Sequence, residues 1–265
     1  MAINDIREKY EILHRIVSEH KKEGVRVRTV AINASDPSSP NQRLDVQRKT
    51  SRKKESNFPN PYVPSVEEME KYHSYWNSDN NGEYIEHEKA LNWLFIDNPE
   101  TKGNTYMKAV IIKCSVLNDF YATNIFKVFP VAKKILSIKD IDNRLKRGDY
   151  SLVNEIAKVE DEKTDETKET KVRFNYSFAT KYCSHHQPDL FPIYDRYVAD
   201  VLCALKKQYP NVFSFKKREE LKRYEMFVKA IDEVKANFGL ENYNYKDMDR
   251  YLWLLGKEYF NPYKK

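Results

Sequence analysis

The sequence predicts a mostly α fold preceded by an irregular N-terminal region with a little strand. Three observations predict it: apolar residues recur at helical spacing almost continuously from Ser65 to the C-terminus, an alternating stretch occurs only near the N-terminus, and a proline- and serine-rich basic run separates the two. In order, Ile6, Tyr10, Leu13, Ile16 and Val17 share one helical face within residues 5–22, and Gly24 stops that helix. GVRVRTVAI then alternates like a strand. Between Asn33 and Pro64 lie five prolines and the run RLDVQRKTSRKKES, where six basic residues face two acidic ones. This run is either a solvated linker or a phosphate-binding arm, with Arg48, Lys49, Arg52, Lys53 and Lys54 as candidate contacts. From Ser65, which opens a helix in an S-V-E-E cap, the pattern is helical almost throughout, through IEHEKALNWLFI, MKAVIIKCSVLN, FYATNIFKVFPVAKKIL and IDNRLKRGDYSLVNEIA. Residues 159–171 (VEDEKTDETKETK) hold almost nothing apolar and read as a surface loop or hairpin-like excursion. VRFNYSFATKYCSHH, DRYVADVLCALKKQY, REELKRYEMFVKAIDEVKANF (stopped by Gly239) and KDMDRYLWLLGKEYF complete the helical series. The expected organisation is an N-terminal region over 1–80 and a helical domain over 81–265, without internal repeats.

Composition narrows the function. The 46 basic and 40 acidic residues leave a mild net charge of +6, and 40% hydrophobic residues, with 19 Tyr and 13 Phe, supply a real core. No run approaches the ~18 apolar residues of a membrane span, and the charged start is wrong for a signal peptide, so a cytoplasmic protein without membrane association is expected. Cys114, Cys183 and Cys203 are scattered, with no C-x-x-C pair, which argues against a disulfide framework, a zinc site or an iron–sulfur site; all three are expected to be buried. The phosphate-loop, dinucleotide-binding, zincin and serine-hydrolase motifs are also missing, so no metal or cofactor is expected.

The most informative stretch is SFATKYCSHHQPDLFPIYDRYVADVL, residues 177–202, where one helix ends, Pro188 and Pro192 bracket a turn, and Asp195 opens the next helix. Phe178, Ala179, Tyr182, Cys183 and His186 share an apolar face of the first helix, with Ser177, Lys181 and Ser184 expected to point the other way. On the second helix Tyr197, Val198, Val201, Leu202 and Leu205 form the buried stripe, which leaves Asp195 at the positive N-terminal mouth. Asp195 alone is readable as a plain cap. Lys181 has three readings, as an amine nucleophile, a phosphate contact or a solvated side chain. His185 and His186 diverge by ~100° and read as structural.

The run FPIYDRYVADVL resembles the segment of the helix-hairpin-helix DNA glycosylases that carries their catalytic aspartate, with Pro192, Ile193, Tyr194, Asp195, Val198 and Leu202 in the corresponding places. VLNDFYATNIFKVFPVAKKIL looks like the helix pair of the 8-oxoguanine-glycosylase branch whose asparagine-containing turn inserts into DNA, and Asn118, Tyr121 and Asn124 fall in that turn. With the C-terminal KDMDRYLWLLGK the similarity spans roughly Met107 to Lys257, in the family's order. Three features depart from the family. The glycine-rich hairpin is missing, with residues 159–171 in its place; the iron–sulfur cysteines are absent; and the lyase lysine's register falls near Ser177, with Lys181 one turn later.

The resemblance implies a multi-helix glycosylase-like domain, acting as a monomer on double-stranded DNA that carries a modified base. It implies base flipping and hydrolysis of the N-glycosidic bond without a cofactor, in repair or in defence against phage DNA with modified bases. Asp195 would stabilise the oxocarbenium-like sugar. The family's lyase chemistry is expected to be missing, because Lys181 sits a turn beyond the expected position. Phe120 and Tyr121 are candidates for a stacking wedge or for the wall of the base pocket, and equally for core. In the last helix Met248, Tyr251, Leu252 and Leu255 form the core stripe, and Asp249 and Trp253, together with Ser177 at the lyase-lysine register, become candidates for contacting the base or the DNA. The rival readings are a non-catalytic nucleic-acid-binding module on the same fold and a protein-interaction adaptor.

Overall fold

Ser65 caps the first helix as its sequence predicts: its hydroxyl accepts from the Glu68 amide at 3.2 Å, and α1 (Val66–Trp76) follows. The computed structural model describes residues 57–78, 81–160 and 172–262. The helix and strand expected near the N-terminus, the basic run with Arg48, Lys49, Arg52, Lys53 and Lys54, and residues 161–171 lie outside the described residues. After α1 come α2 (Gly82–Asn92), which runs into a π turn at Trp93–Asp97, then α3 (Met107–Phe120), α4 (Val128–Ser137), α5 (Ile141–Lys146) and α6 (Ser151–Ala157). Strands β1 (Lys158–Glu160) and β2 (Val172–Phe174) lead to α7 (Tyr176–His186), α8 (Arg196–Gln208), a 3-10 turn at Arg218–Lys222, α9 (Tyr224–Asn237) and α10 (Tyr245–Phe260). The fold is mostly α with little strand, as expected.

Four stretches that read as continuous helices are interrupted. In FYATNIFKVFPVAKKIL, Ala122 (φ 46°) and Asn124 (φ 59°) are left-handed, so α3 ends before them and α4 starts afresh at Val128. Pro130 sits in the first turn of α4, where no intrahelical amide is lost. Gly148 (φ 71°) divides IDNRLKRGDYSLVNEIA into α5 and α6. Residues 218–222 tighten into the 3-10 turn before α9. Val172–Phe174 is a strand rather than the start of α7, antiparallel to β1 in the register Lys158 to Phe174, Val159 to Arg173 and Glu160 to Val172. The β-branched and aromatic residues suit pairing there, and the polar excursion is flanked by a hairpin ladder.

Three helix contacts position the site. Helix α1 lies on α10, joined by a 2.6 Å hydrogen bond from Tyr72 to Glu258, and the segment before α1 adds one of 2.9 Å between the Tyr62 and Tyr251 hydroxyls. Helix α10 packs on α8, where Gly256 permits the approach: a Cβ at that position would lie 2.6 Å from the carbonyl oxygen of Tyr197. Helix α7 runs through the centre, with Phe178, Ala179, Tyr182 and Cys183 wholly buried. A buried polar knot holds the far end of α7, where Lys113 Nζ donates to the carbonyls of Lys102 (3.1 Å) and Gly103 (2.9 Å) and to Asn104 Oδ1 (3.2 Å), and meets His186 Nε2 at 3.3 Å. Cys114 and Cys183 are buried as expected. Cys203 is only half-buried, because it shares the face of α8 that carries Asp200 and its ion pair with Arg218. Among the described residues no helix is long and apolar enough to cross a membrane, and no group of three or more His, Cys, Asp or Glu is placed to hold a metal ion.

Candidate active site

Helices α7 and α8 meet at one carboxylate, and a cavity of about 300 Å³ opens above it. The turn between them starts at Gln187, whose carbonyl accepts from Leu190 and Phe191, and continues as an extended segment to Asp195. That segment is pinned at three successive residues. Tyr224 OH donates to the Pro192 carbonyl (2.8 Å), the Ile193 amide donates to both Asp249 oxygens (2.9 and 3.0 Å), and the Tyr194 amide donates to Thr180 Oγ1 (3.1 Å). Asp195 then caps α8, with Oδ1 accepting from the Tyr197 amide at 2.9 Å, so the cap reading holds. Its other oxygen, Oδ2, turns toward Lys181 at the cavity floor.

Lys181 reaches the same point from α7. Its Nζ lies 3.6 Å from Asp195 Oδ2, donates to Ser177 Oγ at 2.7 Å and to the Tyr194 carbonyl at 3.4 Å, and sits 5.2 Å over the Tyr121 ring. The side chain is only 2% exposed. The expectation that Ser177, Lys181 and Ser184 face away from the core is therefore overturned for Lys181 and Ser184, both buried, because α7 is enclosed on nearly all sides. The solvated reading of Lys181 falls with it. Burial lowers the Lys181 pKa, and the negative charge of Asp195 partly restores it. Ser177 serves this pair, accepting from Lys181 while its own hydroxyl donates to the Tyr194 carbonyl at 3.2 Å.

The remaining lining is aromatic and charged. Tyr121 and Phe120, from the end of α3, both line the cavity; Tyr121 OH shares a 2.9 Å hydrogen bond with His185 Nε2, and Phe120 stacks on His87 with ring centres 3.8 Å apart. Burial keeps the His185 and His186 imidazoles neutral, consistent with structural roles. Trp76, Tyr84 and Trp253 form a second wall, with Lys257 over the Tyr84 ring at 4.5 Å and the Trp253 ring at 4.6 Å. Glu88 binds Arg250 at 2.6 Å and Lys246 at 3.3 Å. Asp249 is 7% exposed, and burial raises its pKa to about 8 against the pull of Lys246, the Ile193 amide, Lys181 and Arg250.

Of the residues singled out in the sequence, Asp195, Lys181, Phe120, Tyr121, Asp249 and Trp253 share this one cavity. Asn118 does not line it. Its side chain accepts from the Ile125 amide (2.8 Å) and Thr123 Oγ1 (2.9 Å) and donates to the Ile125 carbonyl (3.1 Å), so it braces the turn. Asn124 stands exposed on that turn, beside Phe126, which is 82% exposed. Trp76, Tyr84, His87, Glu88, Lys246 and Arg250 were missed. For α10 a signal existed, since Lys246, Asp249, Arg250, Trp253 and Lys257 recur at three- and four-residue steps and mark one helix face. For α1 and α2 no local pattern points to the cavity.

Comparison with known proteins gives two matches. Residues 68–190 match the family described as HI_0787_N, N-terminal domain, a span that includes Lys181 and the 118–126 turn and stops short of Asp195. A Haemophilus influenzae protein carrying the name "Uncharacterized protein" is 46% identical over 157 residues, 59% of this chain and 71% of the relative. No solved structure matches the chain.

Proposed function

We propose that this chain, which belongs to the same family as the Haemophilus influenzae relative, is a DNA glycosylase that flips a modified base into the cavity and cleaves its N-glycosidic bond. The observation that carries the reading is the Lys181–Asp195 pair, 3.6 Å apart at the floor of a cavity walled by aromatic rings. A flipped base needs flat apolar walls for stacking, supplied by Phe120, Tyr121, Trp76 and Trp253. Cleavage needs a negative charge beside the sugar as C1′ becomes oxocarbenium-like, and Asp195 supplies it while fixed by the Tyr197 amide. In the hydrolytic form Asp195 also orients the attacking water and takes its proton.

The placement of Lys181 favours a second reading of the nucleophile. An amine with a lowered pKa beside the reacting carboxylate is poised to attack C1′ in place of water, giving a covalent imine and strand-cleaving lyase activity. On either reading the partner is double-stranded DNA, gripped in part by Arg48, Lys49, Arg52, Lys53 and Lys54. The test is incubation with duplexes that each carry a different modified base, followed by detection of abasic sites. Abasic sites against at least one base support the proposal. Tight DNA binding with no base released makes the chain a binding module instead.

A further inference from the structure

Asp249 is the one carboxyl of the cavity held by a backbone amide alone. Both of its oxygens lie on the Ile193 N–H, at 2.9 and 3.0 Å, and among the described residues it has no other hydrogen bond and no ion pair within 4.0 Å. A carboxylic acid satisfies that arrangement with its carbonyl oxygen and keeps its O–H free for the cavity that it lines. Asp195 differs, being 25% exposed, bound to an amide at a helix start and beside Lys181. Two carboxyl groups in unlike surroundings is the pattern by which one acts as acid and the other as the charged stabiliser.

We infer that Asp249 is the general acid of this site, passing its proton to the departing base as the glycosidic bond breaks. The inference rests on the glycosylase reading and adds leaving-group activation to it. As the C1′–N bond breaks, its electron pair moves to the base and the Asp249 proton joins the base, which leaves neutral. Water or the Lys181 amine bonds to C1′ and gives up a proton to Asp195, which releases it to solvent as solvent reprotonates Asp249. The anion left on Asp249 is sustained by the Ile193 amide and by Lys246, Arg250 and Lys181, whose charges face it from α10 and α7. The other titratable groups lining the cavity are Tyr84, His87 and Glu88 from α2, Tyr121 at the end of α3, and Asp195 and Tyr197 at the start of α8. Burial raises the carboxyl and those cations, with the Ile193 amide, oppose it, so its pKa is pushed up to about 8.

A purely mechanical role, anchoring Ile193 so that Asp195 is held, is the competing account, and Asp249→Asn separates the two. The amide keeps an oxygen to accept from Ile193 but has no acidic proton. Single-turnover release is measured from two duplexes, one with 8-oxoguanine, a neutral base, and one with 7-methylguanine, whose fixed positive charge lets it leave without protonation. Asp249→Asn is expected to slow the first by about 100-fold or more and the second by less than about threefold. Equal slowing on both overturns the inference and leaves the glycosylase reading intact. Release of neither base by the wild type, or of only one, passes the decision to a second readout, the infrared carbonyl band of a protonated carboxyl at pH 7. That band should be present in the wild type and missing in Asp249→Asn, and its absence from the wild type overturns the inference without reference to activity.

Discussion

Lys181 and Asp195 face each other at 3.6 Å from two different helices, fourteen positions apart in the chain, with the lysine almost fully enclosed and the aspartate a quarter exposed. A buried ammonium is tolerated only when its protons are taken up, and Ser177 Oγ, the Tyr194 carbonyl and Asp195 take them. The pair therefore depends on the whole pinned segment from Pro192 to Asp195.

Borohydride trapping tests the amine. If Lys181 attacks C1′, reduction during turnover should leave a covalent protein–DNA adduct, absent in Lys181→Gln. A turnover-competent wild type that gives no adduct returns the reaction to hydrolysis.

Gly256→Ala should disturb the site from a position that does not itself line the cavity. The new methyl would meet the Tyr197 carbonyl oxygen at 2.6 Å and its Cβ at 2.7 Å, both fixed parts of the α8 start. A cost of about 1–3 kcal/mol is expected from such overpacking. Thermal melting should show a drop of several degrees, with slower base release because the Tyr197 amide that holds Asp195 moves. An unchanged melting temperature would mean that α10 and α8 approach less closely.

Asp249 makes stability fall as pH rises. Its pKa goes from 3.8 for a free side chain to about 8 in the fold, so between those values the folded state keeps a proton that the unfolded state has lost. The stabilisation is complete below about pH 4 and is lost as pH climbs through about 8. Denaturant titrations across that window should show a downward slope that Asp249→Asn flattens. Parallel slopes for the two proteins would show that Asp249 is ionised throughout.

Asn118 and Asn124 should separate. Asn118→Ala removes three hydrogen bonds of the turn and is expected to cost about 1–3 kcal/mol and to slow release from duplex and single-stranded DNA alike. Asn124 is exposed with φ 59°, so Asn124→Gly keeps the backbone relaxed while deleting the amide. If the amide fills the gap left by the flipped base, duplex release slows more than single-stranded release. Equal slowing removes Asn124 from the DNA interface.

The helical class, the Ser65 cap and the helix start at Asp195 were legible because each depends on neighbours within four residues. The breaks at Ala122, Asn124 and Gly148 were not, since apolar spacing continues across them and only backbone conformation interrupts it. Local periodicity puts Lys181 on the polar face, but tertiary enclosure of α7 buries it. The Trp76 and Tyr84 wall was invisible for the same reason: it exists only once α1 and α2 fold against α10.

The measurement that reaches the central claim most directly is single-turnover base release by Asp195→Asn beside its melting temperature. Asn caps a helix nearly as well as Asp, so the fold should change by well under ~1 kcal/mol. Loss of the charge beside the sugar should slow release by at least ~100-fold, with DNA binding kept or slightly tightened. Release at near wild-type rate from an equally stable Asp195→Asn protein would contradict the account.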